Sequence, residues 1–77
     1  MGDESDYNTG MLHILLNGEP HEVDVRTTVN HLLDRAGYAD RRVAVEINRE
    51  IVPRSAHGER LLREGDRVEI VHALGGG

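Results

Sequence analysis

Apolar and polar residues alternate along several stretches between Met11 and His72, and in one stretch the apolar positions recur at helical spacing instead. In Leu12-His13-Ile14-Leu15-Leu16, residues Leu12, Ile14 and Leu16 fall on one face of a strand, and Asn17-Gly18 supplies the positive φ values of a tight hairpin turn. The return strand is expected over His21-Glu22-Val23-Asp24-Val25-Arg26, with Val23 and Val25 facing the same core. Pro20 lies just past the turn, at an edge or bulge position that tolerates its missing N–H. Thr27 and Thr28 are candidate N-caps of a helix whose Val29, Leu32, Leu33 and Ala36 form one apolar stripe, and Gly37 closes it as a left-handed C′ residue. The helix is expected to cover the apolar face of the hairpin.

Val43-Ala44-Val45-Glu46-Ile47 reads as a strand with Val43, Val45 and Ile47 inward, turned by Asn48-Arg49-Glu50 into a brief Ile51-Val52 that Pro53 ends. Residues 55–63 read as an irregular connection, with room for one helical turn, pinned by Leu61 and Leu62. Glu64-Gly65-Asp66 then turns into a last strand with Val68 and Ile70 inward. The order β-β-α-β-β-β predicts an α+β domain: a mixed sheet of four to five strands with one helix packed on one face. The last strand alternates without a proline, which predicts a central position beside the first.

Composition sets limits on chemistry. A chain of 77 residues forms one domain and buries only about 60% of its unfolded surface, so a deep active site is not expected. The apolar set is almost wholly aliphatic, with two Tyr and neither Phe nor Trp. Without cysteine there is no disulfide, thiolate zinc site or side-chain sulfur nucleophile, which fits a reducing cytoplasm. A net charge of −5, with arginines scattered among carboxylates, argues against nucleic acid as a partner. No stretch approaches the roughly 20 apolar residues of a membrane-spanning helix, and residues 1–10 lack the features of a signal peptide. That polar, acidic segment is expected to be a disordered extension of the domain at 11–73, or a start-site artefact given Met11.

All nine basic residues are arginine, so no ε-amine is available to attack an activated carboxyl group, although the composition of a GC-rich genome explains the same bias. His13, His21, His31, His57 and His72 show no i,i+4 pair, and surface positions are expected for them. The carboxylates, Asp24 and Asp34 among them, are spread over turns and outer faces and suggest no acid–base pair. Arg41-Arg42 opens the third strand, as a solubilising edge or a contact for an acidic partner.

The segment closes on Leu74-Gly75-Gly76-Gly77 directly after the last strand. Glycine lets a backbone lie extended in a channel too narrow for side chains and present a carboxylate, though terminal glycines are equally the composition of a frayed tail. Outward alternation places His13, Leu15, Glu69 and Val71 on the uncovered side of the sheet. Leu15, Val71 and Leu74 are candidates for an apolar partner-docking patch beside the tail, against the fact that scattered exposed aliphatics are ordinary. From such a base residues 73–77 reach roughly 15 Å.

From Met11 to Gly77 the chain resembles the ThiS family of sulfur carriers in thiamine biosynthesis, within the ubiquitin-like β-grasp superfamily. The resemblance rests on the Leu-Asn-Gly hairpin, Thr28-Val29 leading Leu32-Leu33, the run from Val45 through Asn48 to Ile51-Val52-Pro53-Arg54, the Glu64-Gly65-Asp66 turn and the Gly-Gly end. Asparagine leading to Ile-Val-Pro-Arg is the most specific piece. What it implies is a carrier without catalytic side chains or bound cofactor. An E1-like adenylating enzyme consumes ATP to adenylate the Gly77 carboxylate, a sulfur donor protein converts the adenylate to a thiocarboxylate, and thiazole synthase takes the sulfur. Gly77 is then the modified residue, Gly76 and Gly75 with Leu74 the tail that enters the partner, and the free carrier a monomer in the cytoplasm. Two alternatives stay open: a carrier for molybdopterin or amino-acid synthesis, and a β-grasp interaction domain in which the glycines are idle.

Overall fold

The computed structural model describes residues 10–38 and 42–72. The elements are β1 (Met11–Leu16), β2 (Glu19–Asp24), α1 (Val29–Arg35), β3 (Val43–Ile47), β4 (Glu50–Val52), a 3-10 turn (Arg54–Ala56) and β5 (Arg67–His72). The five strands form one mixed sheet in the order β2-β1-β5-β3-β4, so the last strand is central beside the first, as its uninterrupted alternation predicts, and the two run parallel. Helix α1 buries Val29, Leu32 and Leu33 against Ile14 and Leu16 of β1, Val45 and Ile47 of β3, and Val68 and Ile70 of β5. Leu62, 3% exposed, closes the core from the long connection.

Two turn asparagines hold the sheet together. Asn17 (φ 51°) and Asn48 (φ 54°) occupy the first position of the two-residue turns β1–β2 and β3–β4, where asparagine tolerates the left-handed region. Each also lengthens a ladder with its side chain. The Asn17 Oδ1 accepts from the Ile70 N–H at 2.8 Å, and the Asn48 Oδ1 accepts from the Arg67 N–H at 3.0 Å, supplying β5 with acceptors just past the ends of its neighbours.

Thr28 is the helix N-cap, its Oγ1 accepting from the His31 N–H at 3.2 Å. The preceding two helical donors are also used: Val29 N–H donates to the Arg60 carbonyl and Asn30 N–H to the His57 carbonyl. The otherwise unpaired N–H groups of the helix start therefore pin the 57–60 loop. Gly37, at φ 90°, ends the helix as expected.

Four sequence expectations are corrected. Strand β2 begins at Glu19 rather than His21 and stops at Asp24, because Asp24 Oδ1 accepts from Arg26 N–H and the Asp24 carbonyl accepts from Thr27 N–H, folding the chain into a turn. Val25 therefore leaves the alternation and is 41% exposed. Ala36 is the helix C-cap and exposed rather than part of the buried stripe. Leu61 points outward while only Leu62 anchors the connection, since Leu61 lies at an isolated bridge to Thr28. His57 and Asp66 are buried polar residues, not surface ones, and both are satisfied: His57 Nε2 donates to the Val52 carbonyl, and Asp66 accepts from Asn48 Nδ2 and from Arg63 N–H.

Candidate functional site

Among the described residues nothing covers the side of the sheet away from α1. Directly paired residues of neighbouring strands share a face, so strand register maps this surface: Ala44 opposes Val71, Glu46 opposes Glu69, Ile51 opposes Glu46, and Leu15 lies beside Arg67. Leu15 and Val71, the candidate docking residues, are both on this face. They are not neighbours. Leu15 aligns with Arg67, four residues before Val71 along β5, which separates the two by about 13 Å. Leu15 is half-buried, at the edge of an open depression of 260 Å³ that it lines with Gly18, Arg67, Val68 and Glu69. Val71, 56% exposed, instead adjoins the exposed Ala44. Ile51 extends the apolar surface one strand further and is 71% exposed, a contribution absent from the expected patch. Its brief strand and the following proline gave no hint of which way it faces.

At the margin of the same face, His13 stands between two carboxylates, its Nε2 3.2 Å from Glu22 and its Nδ1 3.3 Å from Glu64. Glu64 also accepts from the His13 N–H at 2.9 Å. These groups are all well exposed, and such pairs stabilise a fold only slightly. Their role is to clip the turn before β5 onto β1. Among the described residues no three metal-ligating side chains converge, and no helix is long and apolar enough to cross a membrane. Leu74, Gly75, Gly76 and Gly77, the expected tail, lie outside the described residues, as does Arg41. What the fold does position is the tail's origin: β5, bonded on both sides, is the strand that leads into it.

Among the described residues the surface thus offers a partly apolar sheet face and a last strand that ends at His72, and no three metal-ligating side chains cluster on it. The family model described as "ThiS family" matches residues 14–77. The chain belongs to the ThiS family. Its fold is accordingly the ubiquitin-like β-grasp, and the crystal structure of the thiamine biosynthesis protein ThiS from Geobacter metallireducens is similar to it with a TM-score of 0.73 at 33% identity, covering 86% of this chain and 100% of that one. Over 66 residues the chain is 46% identical to a thiazole synthase of Magnetococcus marinus and 41% identical to one of Paramagnetospirillum magneticum. It spans 86% of its own length in these matches but only 20% of theirs. The sulfur carrier protein ThiS of Escherichia coli is 27% identical over 66 residues, which are 100% of that protein.

Proposed function

We propose that this ThiS-family chain is a sulfur carrier for thiamine biosynthesis, a protein cosubstrate that carries sulfur as a thiocarboxylate on Gly77. The observation that carries the reading is the family match running through Gly77, on a fold whose central strand ends at His72, five residues before Gly77 in the sequence. A carboxylate is a poor acyl donor until its oxygen becomes a good leaving group. An adenylating enzyme meets that need: the Gly77 carboxylate attacks the α-phosphate of ATP, pyrophosphate leaves, and an acyl adenylate remains. A sulfur nucleophile at the sulfide level, delivered by a donor protein, then adds to the acyl carbon and expels AMP, leaving the thiocarboxylate. Thiazole synthase consumes it and returns the carboxylate.

In this cycle the carrier supplies position and no catalytic side chain. Leu74, Gly75 and Gly76 are the stretch that enters the partner's channel, where the absence of side chains matters. ATP is bound by the adenylating enzyme, and its use there sets the reaction in the cytoplasm. The free carrier works as a monomer.

The test is growth. Expressed in a thiamine auxotroph that lacks its own sulfur carrier, the chain should restore growth without added thiazole, and the chain shortened by Gly77 should not. Restoration by the shortened chain would overturn the carrier chemistry. Failure of the full chain, alongside rescue of a molybdopterin-deficient strain, would move it to another pathway.

A further inference from the structure

We propose that the uncovered sheet face is the surface on which thiazole synthase docks, and that the carboxylates of Glu46 and Glu69 receive a basic side chain of that enzyme. The proposal rests on the sulfur-carrier reading above and names the partner face of that carrier. Glu46 and Glu69 are direct cross-strand partners on β3 and β5. Residues so placed have Cβ atoms about 5 Å apart, and like charges directly opposite each other destabilise the sheet. Nothing on the described surface neutralises them. Both ion pairs among the described residues belong to His13, and Arg67, two positions along β5 from Glu69, pairs with neither carboxylate.

The surroundings specify what would cover the pair. Ile51 flanks Glu46 on one side, Ala44 and Val71 continue the face toward the end of β5, and the depression that Glu69 lines with Leu15, Gly18, Val68 and Arg67 opens on the other. An arginine or lysine ringed by apolar side chains complements this arrangement, its charge set between the carboxylates and its neighbours over the aliphatics. A second copy of the chain does not. It would bring four carboxylates together in a protein already at net charge −5.

Two observations favour the synthase as occupant. In the Magnetococcus and Paramagnetospirillum proteins a segment like this chain is one part of a longer thiazole synthase, so carrier and synthase are held together at high local concentration. The face also includes β5, so docking there fixes the origin of the five residues that follow His72 and must deliver Gly77.

The experiment compares the wild-type chain with the double variant Glu46→Gln, Glu69→Gln. Titration calorimetry against the purified thiazole synthase of the source organism should give a Kd about tenfold weaker for the variant, and the wild-type Kd should weaken with added salt while the variant's changes less. The variant's melting temperature should rise, because the repulsion is gone, which separates lost binding from lost folding. An unchanged Kd, a lowered melting temperature, or a loss confined to the adenylating enzyme would each overturn the assignment. The carrier reading fails on different grounds: a wild-type chain that never acquires sulfur when incubated with its adenylating enzyme, ATP and a sulfur source.

Discussion

Arg49 occupies a backbone conformation that suits glycine, and replacing it should stabilise the protein. The turns Asn17-Gly18 and Asn48-Arg49 are built alike, with φ values of 51° and 86° in the first and 54° and 72° in the second. Where the first turn has glycine, the second has a residue with a Cβ. A non-glycine residue in the left-handed region costs roughly 1–2 kcal/mol, while glycine in its place adds about 0.5–1 kcal/mol of unfolded-state entropy to be lost on folding. The Arg49 side chain is exposed and in neither ion pair among the described residues, so little is lost with it. The net gain expected for Arg49→Gly is about 0.5–1 kcal/mol, which in a domain of this size raises the melting temperature by about 2–8 °C. The mirror experiment is Gly18→Ala. A Cβ built there meets nothing within 4 Å, so the cost is conformational alone and should be about 0.5–1 kcal/mol of the opposite sign. Urea unfolding followed by circular dichroism, with a common m value, measures both. If Arg49→Gly leaves the midpoint unchanged or lowers it, the turn does not carry the strain assigned to it.

Further outcomes follow from the same contacts. Thr28→Ala should cost about 1 kcal/mol by removing the cap to the His31 N–H, and Thr28→Asp should retain most of it, read from denaturation midpoints. Leu32→Ala, at a position only 4% exposed, should cost about 2–5 kcal/mol and leave the domain open to rapid proteolysis. Asn48→Ala removes both the donor to Asp66 and the acceptor for Arg67 N–H, and should cost about 1–3 kcal/mol. Asn48→Gly should recover the turn's conformational part of that loss but not the hydrogen bonds, so its stability falls between Asn48→Ala and the natural chain.

Much of this fold is legible in the chain because its signals are local. Asn17-Gly18 fixes one hairpin, Thr28 and Gly37 bracket the helix, and the alternation through Val68 and Ile70 marks a strand buried in the middle of the sheet. What the hydrophobic pattern misses depends on side-chain hydrogen bonds and on strand register. Val25 continues an alternation that a hydrogen bond to Asp24 has already ended. His57 and Asp66 look like surface residues until the carbonyl of Val52 and the amide of Asn48 are placed against them. The docking face shows the same limit. Alternation put Leu15 and Val71 on the outer side, but only the offset of parallel β1 against β5 shows them to be apart, and only the β3–β5 register sets Glu46 against Glu69.

The central claim is that sulfur travels on the carboxyl carbon of Gly77. Tandem mass spectrometry of the chain after incubation with adenylating enzyme, ATP and a sulfur donor tests it at the level of the atom. The account predicts an added mass equal to sulfur in place of oxygen, confined to the fragment that contains Gly77 and abolished by omitting ATP. An increment on any other residue, or none on a fully folded chain, would contradict it.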